Sequence, residues 1–432
     1  MRINVIGGGL AGSEVALSLA DFGKEVMIFE MRPARKTDVH QSEDFAELVC
    51  SNSLKSKSLD NASGLLKEEG LLIGSRLLEA AHRHRVPAGK ALAVNRETFA
   101  REITRRIENH PLISVRREEV CQLDISGSVN IVCTGPLTSE CLENYLGELF
   151  GNALFFFDAV APIVASDSVN FERAFVADRY SDTGDYVNCP LTIEEYEVFW
   201  KEIVSAEVLE IENFSDRFLF ERCQPVEEIA RSGKEALRFG PMKPVGLTDP
   251  ATGEEPFAVV QLRKENLSGS LLSLVGFQTR LKWSEQKRIL GLIPALKNAD
   301  IARYGVMHRN TFLDSPKLLN PDLQSKDYQG LFFAGQICGL EGYVEAIVSG
   351  RLVAINVNRF VDGRRTLIPP KETMLGGLVN HVTVSGRSPL RPVYANFGLL
   401  PEIRMRDKRE KNRRKVLRAQ EQMEHFLKEV RK

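Results

Sequence analysis

Three glycines and one acid near the start of the chain have the spacing of a dinucleotide site. Gly7, Gly9 and Gly12 fit the pattern Gly-x-Gly-x-x-Gly, and Glu30 follows eighteen residues after Gly12. In such a turn the first glycine permits the tight bend, the second lets the backbone approach a pyrophosphate, and the third lets a helix pack closely on a strand. An acid at Glu30 can bond an adenosine ribose hydroxyl. The spacing therefore predicts a site for an adenine dinucleotide.

A second candidate for chemistry is the thiol of Cys50. It opens the segment Cys50-Ser51-Asn52-Ser53, whose capping residues predict the start of a helix nearby. A thiolate at a helix N-terminus, with Lys55 and Lys57 close by, would be stabilised. A buried, inert cysteine is an equally good interpretation of the composition. The chain has seven cysteines, which are scattered and without a CxxC pair, so neither a zinc site nor a disulfide framework is indicated.

The elements around the first glycines predict a Rossmann-type α/β domain. Residues 2–6 are a short apolar strand, residues 13–22 carry a helical apolar face, and residues 25–29 are a second strand. A comparable unit returns late in the chain, where the strand 331–334 meets a glycine-rich turn and the helical segment 344–357. A second helix N-terminus at this point suits a flavin, so the two halves together predict FAD. No second Gly-x-Gly-x-x-Gly unit exists, so a nicotinamide cofactor would bind only transiently.

The rest of the chain predicts a discontinuous FAD domain interrupted by a second α/β lobe. We expect the FAD domain at 1–185 plus 305–400, the inserted lobe at 186–304 and a basic C-terminal helix at 401–432. Within the FAD domain, further elements are predicted: one long helix at 65–85, a helix at 96–107, and strands at 113–115, 120–123 and 129–132.

Composition excludes several classes of protein. A net charge of −1 over 432 residues gives no global sign of a polyanion partner, and no apolar run approaches the roughly 20 residues that span a bilayer. A cytoplasmic protein with no membrane association is therefore expected. The tail, Arg404 to Lys432, is different, with twelve Lys/Arg against five Asp/Glu. Apolar Val416, Leu417 and Met423, with residues 426 and 427, make it an amphipathic helix that either tracks phosphates or lies solvated on the surface.

Several long motifs together resemble the folate- and FAD-dependent tRNA uracil-5-methyltransferase family. They are GGGLAGSEVA, LVCSNSLKS, DYVNCPLTIEEY, FERCQPVEEIARSGKEALRFGPMKPVGL, FAGQICGLEGYVEAI and NFGLLP. The similarity runs from residue 1 to about residue 400. It implies a glutathione-reductase-like FAD domain and transfer of the methylene carbon of 5,10-methylenetetrahydrofolate to C5 of the uridine in the tRNA T-loop. Reduced FAD would supply the electrons, and NADPH or NADH would reduce the flavin.

The resemblance also implies roles for two cysteines. Cys223, in ERCQP, is expected to add to C6 of the uracil, and Cys50, in LVCSN, to assist the flavin or accept the C5 proton, although the two roles could be exchanged. Arg222, Arg231, Lys234 and Arg238 are expected to lower the pKa of the Cys223 thiol. Cys189 is expected to be structural, and cysteines 121, 133 and 141 to lie in the core.

The residues expected to bind the cofactor come from both glycine turns. They are Gly7, Gly8, Gly9, Leu10, Ala11, Gly12, Glu30, Gly335, Gln336, Glu341, Gly342 and Tyr343. Three other functions remain compatible with these motifs: the same chemistry on a 23S ribosomal RNA uridine, a small-molecule FAD oxidoreductase, and a non-catalytic RNA-binding flavoprotein.

Overall fold

A computed structural model describes the chain from residue 1 to residue 432 except residues 38, 152–153, 160, 180–183, 210–223, 266–267, 306, 385–389 and 391. The side chains of residues 154–159, 307–310 and 408 also lie outside the description.

Strands and helices are interspersed along the chain. The strands are β1 (Arg2–Ile6), β2 (Val26–Phe29), β3 (Ser53–Ser56), β4 (Arg85–Val86), β5 (Ala91–Val94), β6 (Ile113–Arg116), β7 (Ser128–Val132), β8 (Leu154–Ala159), β9 (Ile163–Ala165), β10 (Phe175–Val176), β11 (Tyr186–Leu191), β12 (Ala258–Lys264), β13 (Leu271–Leu274), β14 (Ile301–Arg303), β15 (Met307–Phe312) and β16 (Leu331–Phe333). The helices are α1 (Leu10–Asp21), α2 (Ala62–Leu72), α3 (Arg76–Arg83), α4 (Arg96–Glu108), α5 (Glu140–Phe150), α6 (Ile193–Ser205), α7 (Val226–Arg231), α8 (Ala236–Phe239), α9 (Trp283–Leu290), α10 (Ser315–Leu318), α11 (Tyr343–Val361), α12 (Met374–Val384) and α13 (Lys408–Val430).

The first sheet is parallel and has the strand order β16-β7-β1-β2-β6. Strands β1 and β7 are buried along almost their whole length, as expected for a sheet covered on both faces. Because β16 joins β7 from more than 190 residues later in the chain, both ends of the sequence build one domain. The predicted Rossmann-type α/β fold is confirmed.

Helices α1 and α11 cross very closely above this sheet. A Cβ placed on Gly350 of α11 would lie 2.7 Å from the carbonyl oxygen of Ala11 in α1. At the neighbouring turn, a Cβ on Gly335 would lie 2.9 Å from the Ala11 side chain. The absence of side chains at these two glycines brings the early and late turns together.

The second sheet is largely antiparallel, in the order β10-β11-β12-β13-β9-β14, and α6 packs against it. Its strands β9 and β10 precede residue 186, so this sheet extends further toward the N-terminus than the predicted lobe 186–304. The antiparallel pair β8–β15 flanks this lobe in the sequence.

The segment after Cys50 differs from the prediction. It forms strand β3, which pairs with β5, and the next helix begins only at Ala62. Serine side chains explain the extended backbone, because the hydroxyl oxygens of Ser51, Ser53 and Ser56 each accept the N–H two residues later. Such local bonds compete with helix formation. The predicted helix start at Cys50 is therefore wrong.

Two further local predictions are also wrong. The helix expected over 65–85 is two helices, α2 and α3, because Gly74 adopts φ +82° and Ser75 caps α3 through its hydroxyl. The buried carboxylate of Glu14 also accepts the N–H of Arg76 and Leu77 at this break. Residues 120–123 form no strand.

Helix α13 packs its apolar face on the core of the dinucleotide domain. Val416, Ala419, Met423, Phe426 and Leu427 are buried there, whereas Leu417, assigned to the same face from sequence, is 57% exposed. The interpretation as a simply solvated helix is therefore wrong. Within the described part of the chain, none of the helices combines the length and apolar character that a bilayer span requires.

Candidate functional site

A cleft opens beyond the carboxyl ends of β1, β2 and β7, where parallel sheets commonly bind ligands. Its cavity volume is about 130 Å³. The residues that line it come from both glycine turns and from the segments between them: Gly7, Gly8, Gly9, Leu10, Ala11, Glu30, Arg32, His40, Glu47, Val49, Glu119, Cys133, Thr134, Gln336, Tyr343 and Ala346, among others. The early and late segments therefore share one cavity.

The glycines of the first turn occupy positions that larger residues would not fit. Gly7 has φ +102°, and a Cβ there would lie 2.7 Å from the carbonyl oxygen of Cys133. A Cβ on Gly12 would lie 1.9 Å from the carbonyl oxygen of Gly7. Gly9, by contrast, has open space around it and precedes α1, whose N-terminus has no side-chain cap. The turn thus presents bare backbone and a helix N-terminus to the cleft, an arrangement that favours phosphate.

Glu30 is held in place from both sides. Its Oε2 accepts the Gly8 N–H at 2.9 Å, and its Oε1 accepts the Arg32 backbone N–H and Nε at 3.0 and 2.9 Å. Burial acts to raise the pKa of Glu30, but the hydrogen bonds and charge of Arg32 outweigh it and keep that pKa below its ordinary value. An ionised carboxylate therefore lies against the glycine turn.

His40 lines the same end of the cleft as a neutral ring. Burial, reinforced by the charge of Arg32, lowers the pKa of His40 to about 4 although Glu47 and Glu30 oppose the shift. Its Nδ1 lies 2.6 Å from the hydroxyl oxygen of Thr37. Near neutral pH it therefore adds no charge to the cleft.

The late turn is joined to the early part of the chain by a buried carboxylate. Glu345, in the first turn of α11, accepts the Ala395 N–H at 2.9 Å and the Lys55 ammonium at 3.1 Å. Gly342 precedes α11 with φ +118°, and a Cβ there would lie 2.3 Å from Glu345 Oε2 and 2.8 Å from Lys55 Nζ. Lys55 therefore serves the late turn, whereas the sequence suggested that it would act on Cys50.

Tyr343 positions the backbone of Cys50. Its hydroxyl oxygen accepts the N–H of Cys50 at 2.8 Å and that of Ser51 at 3.0 Å. Burial raises the pKa of the Tyr343 hydroxyl, and the nearby Cys50 raises it further, so the hydroxyl stays protonated. Because Tyr343 also lines the cleft, this contact holds the half-buried residue Cys50 next to a residue of the cleft wall.

Two arginines supply positive charge around Cys50. Burial acts to lower the pKa of Arg96, but Glu265, 2.6 Å from its Nε, raises it, with smaller contributions from Tyr343 and Cys50. Burial lowers the pKa of Arg303 and Arg96 lowers it further, while Cys50 acts in the opposite direction. Both guanidinium groups are thus within electrostatic reach of the thiol, and positive charge stabilises a thiolate.

A neighbouring asparagine fixes this segment to the second sheet. Asn52 is fully buried, its Oδ1 accepts Arg263 Nε at 2.9 Å, and its Nδ2 donates to the Lys264 carbonyl at 2.9 Å. These bonds tie the Cys50 segment to β12. The Arg96–Glu265 pair adds a contact between the start of α4 and the residue that follows β12. The site is therefore completed by the inserted lobe.

The remaining described cysteines are not suited to nucleophilic chemistry. Burial raises the pKa of the Cys133 and Cys338 thiols, and raises that of Cys189 to about 12. Cys121 and Cys141 form a disulfide, with Glu119 Oε1 3.0 Å from the Cys141 sulfur. Cys121 is exposed and Cys141 half-buried, so their assignment to the core is wrong, and the cysteine pattern of the sequence did not indicate their bond.

Cys223 and Arg222 lie outside the described residues. The three cations that follow them already have carboxylate partners: Arg231 pairs with Glu228 at 2.7 Å, Lys234 with Glu197 at 2.5 Å, and Arg238 with Glu235. Their positive charge is therefore partly neutralised locally, which weakens the expectation that they lower the pKa of Cys223.

The predicted cofactor residues divide into two groups. Gly7, Gly8, Gly9, Leu10, Ala11, Glu30, Gln336 and Tyr343 line the cleft. The other four do not line the cleft but neighbour residues that do: Gly12, Gly335, Glu341 and Gly342. Glu341, for example, accepts a hydrogen bond from the side-chain amide of Gln336 at 2.8 Å.

Sequence reasoning missed several residues that build the site. They are Arg32, His40, Asn52, Arg96, Arg263, Arg303 and Glu345. Arg32 and His40 contact near neighbours, Glu30 and Thr37, whereas the contacts of the other five join segments far apart in the chain and leave no local pattern.

The chain is similar to known proteins along nearly its whole length. The family model described as "Glucose inhibited division protein A" matches residues 2–365. A Thermotoga maritima protein named methylenetetrahydrofolate–tRNA-(uracil-5-)-methyltransferase TrmFO is 56% identical over 432 residues, covering 99% of each chain. A protein of the same name from Sulfurihydrogenibium sp. is 48% identical, covering 100% of this chain and 99% of the relative. The solved structure of Aquifex aeolicus GidA matches the fold with a TM-score of 0.70 at 16% identity, covering 99% of this chain and 73% of that one.

Proposed function

This chain belongs to the glucose inhibited division protein A family and, within it, to the methylenetetrahydrofolate–tRNA-(uracil-5-)-methyltransferases. We propose that it methylates C5 of the T-loop uridine of tRNA. The one-carbon unit comes from 5,10-methylenetetrahydrofolate. The observation that supports the proposal is the contact between the Tyr343 hydroxyl and the Cys50 backbone, because it joins a cysteine to a residue that lines a dinucleotide cleft.

The residues of the cleft fit FAD. Gly9 leaves open space at the N-terminus of α1, and α11 likewise begins at Gly342 without a side-chain cap. We propose that the backbone of Gly7 to Gly12 holds the pyrophosphate, that Glu30 bonds the ribose, and that the late turn from Gly335 to Tyr343 borders the ring system. FAD, when bound, supplies the electrons that turn the transferred methylene into a methyl group.

The thiols solve the central chemical difficulty of the reaction. C5 of uracil is a poor nucleophile, but a thiolate that adds to C6 turns the ring into an enolate whose C5 can attack the one-carbon unit. A base must then remove the C5 proton, and elimination of the sulfur restores the ring. We propose Cys223 as the nucleophile and Cys50 as the base or as a partner to the flavin. Arg96 and Arg303 interact electrostatically with Cys50 and would favour an anion at this position.

The alternatives are not favoured. The names of the relatives specify methylation and a tRNA substrate. They give no support to a ribosomal RNA substrate, to a small-molecule oxidoreductase or to a non-catalytic flavoprotein. We further propose that NADPH or NADH binds transiently to reduce the flavin and that the protein works in the cytoplasm, where its tRNA and folate substrates are found.

The direct test is isotope transfer from folate to RNA. Purified protein is expected to be yellow and, given methylenetetrahydrofolate labelled in its methylene carbon, a reduced nicotinamide and a tRNA transcript, to yield labelled 5-methyluridine in digested RNA by mass spectrometry. A 23S RNA fragment serves as the comparison substrate. Yellow protein that leaves the tRNA unlabelled would refute the proposal.

A Tyr343→Phe variant tests how Cys50 is positioned. The change removes the oxygen that accepts two N–H groups, and each unsatisfied buried donor costs about 1–3 kcal/mol. We expect the flavin to be retained, turnover to fall roughly tenfold or more, and Cys50 to be alkylated at a different rate because its loop is loosened. Tyr145→Phe, which removes a single bond to the Leu123 carbonyl, is the control. Unchanged turnover and alkylation in Tyr343→Phe would contradict this role.

A further inference from the structure

Positive charge is concentrated in one half of the C-terminal segment. Residues 404–418 contain nine Lys/Arg and two acids, a net charge of +7, whereas residues 419–432 contain three of each. The excess therefore lies entirely at the N-terminal half of α13 and the residues leading into it, where the helix dipole adds partial positive charge. The C-terminal half of the segment carries no excess of positive charge, so the charge is localised rather than spread along the whole helix.

The helix that carries these charges is fixed to the domain. Lys415 is buried and donates to the carbonyl oxygens of Phe397 and Leu400 at 2.6 and 3.2 Å, and Arg418 donates to that of Pro401 at 2.6 Å. These two cations have structural roles. The others are presented by a rigid element, so little conformational entropy would be lost when an anion binds.

The exposed cations are only weakly neutralised within the protein. Glu410 is shared between Arg413, at 3.9 Å, and Arg414, at 3.4 Å, and Lys411 pairs with the exposed Glu402 at 3.0 Å. Exposed ion pairs of this kind contribute about 0–1 kcal/mol. A phosphate that binds Arg409, Arg413 and Arg414 would therefore break only ion pairs that contribute little to the stability of the protein.

The basic half of α13 borders strand β3, which follows Cys50 in the chain. Arg409 and Arg413 share a surface depression with the acids Asp60, Asp407 and Glu410, and Asn412 shares a second depression with Lys55 and Ser56 of β3. Lys55 in turn pairs with Glu345 at the start of α11, behind the cleft. A polyanion that reaches the cleft past β3 would meet these arginines.

We propose that residues 404–414 form a docking surface for the phosphate backbone of the substrate tRNA, next to strand β3, which follows Cys50 in the chain. The inference rests on the proposed function for the identity of the RNA. A membrane surface is a poor alternative partner, because the apolar face that an amphipathic helix would insert is already buried in the protein core. Clustered arginines on a rigid helix suit the regularly spaced charges of an RNA backbone.

Two triple variants with the same change in charge test the surface. R409Q/R413Q/R414Q removes three cations from the basic half, and K428Q/R431Q/K432Q removes three from the last turn of α13 and the two residues that follow it. Binding of a fluorescent T-arm RNA to the FAD-loaded enzyme is measured by anisotropy at several salt concentrations, together with flavin content and the KM for RNA.

We expect R409Q/R413Q/R414Q to weaken RNA binding by roughly 10–100-fold at low salt and to reduce the slope of log affinity against log salt concentration by about 2–3. In turnover, the loss should appear as a higher KM for RNA. The second triple should stay within twofold of the wild type, and both should keep their flavin. Equal losses in the two triples, or no loss in the first, would overturn the surface. If the triples differ in binding but the wild type leaves tRNA unmethylated, the surface stands and the proposed function fails.

Discussion

Replacing Gly12 by alanine is expected to abolish FAD binding and destabilise the dinucleotide domain. The new Cβ would lie 1.9 Å from the carbonyl oxygen of Gly7 and 3.2 Å from the Cβ of Cys133. The first contact is with backbone, so no side-chain rotation relieves it. Helix α1 cannot retreat either, since the carbonyl of Ala11 already lies against Gly350 of α11. The turn that would cradle the pyrophosphate must therefore open.

Overpacking of this kind costs about 1–3 kcal/mol, and more where backbone must move. We expect a colourless protein with a lower Tm, measured by flavin absorbance per chain and by thermal unfolding. Gly147→Ala is the matched control, because Gly147 lies within α5 and a Cβ there would meet nothing within 4 Å. Its expected effect is neutral or stabilising by roughly 0.5–1 kcal/mol. Normal flavin content in Gly12→Ala would contradict the assignment of the site.

Gly12 also shows which part of the fold is predictable from sequence. The early turn is a local unit in which residue types, their spacing and the flanking strand and helix all depend on neighbours within thirty residues. The late turn is similar, and Gly335 and Gly342 do adopt the positive φ values that glycine favours. A dinucleotide domain built from both ends of the chain could therefore be predicted before the structure.

The contacts that complete the site could not be predicted in this way. The Tyr343 hydroxyl reaches Cys50 across 293 residues, and Arg263 reaches Asn52 across 211. Neither tyrosine nor asparagine signals such a partner in its local sequence, because the first bond forms only when the two halves of the FAD domain meet and the second only when the inserted lobe packs on that domain. For the same reason, the sequence suggests Lys55 and Lys57 as the cations near Cys50, because they are its neighbours in the chain. In the structure Arg96 and Arg303 supply that charge.

The wrong predictions have a common physical cause, which is that a local preference was overridden by a partner elsewhere. The serines after Cys50 have capping propensity, but β5 offers the segment a strand partner. Cys121 and Cys141 are twenty residues apart with no motif to link them, and a turn of the chain brings them together. Glu14 helps to divide the predicted helix 65–85 by accepting N–H groups at its break.

Replacing Cys223 by alanine is expected to leave FAD bound and to lower methylation by roughly 10⁴-fold or more, the scale seen when a covalent nucleophile is removed. The cleft residues that fit FAD come from other parts of the chain, so a yellow but inactive protein is the expected result. Cys189→Ala is the control, because this thiol is buried in β11 and its raised pKa keeps it protonated. Methylation by Cys223→Ala at the wild-type rate would refute the nucleophile assignment.

Cys50→Ala distinguishes the two thiol roles when the RNA carries 5-fluorouridine at the target position. Fluorine at C5 cannot leave as a proton, so an enzyme that has added its sulfur to C6 and transferred the carbon stays covalently attached to the RNA. Addition at C6 needs the nucleophile, whereas loss of the C5 proton needs the base. If Cys223 is the nucleophile, Cys50→Ala still adds to C6 and its RNA adduct is detected in a denaturing gel, while Cys223→Ala gives none. The reverse pattern would exchange the two roles, and it would make the arginines around Cys50 the groups that stabilise the attacking thiolate.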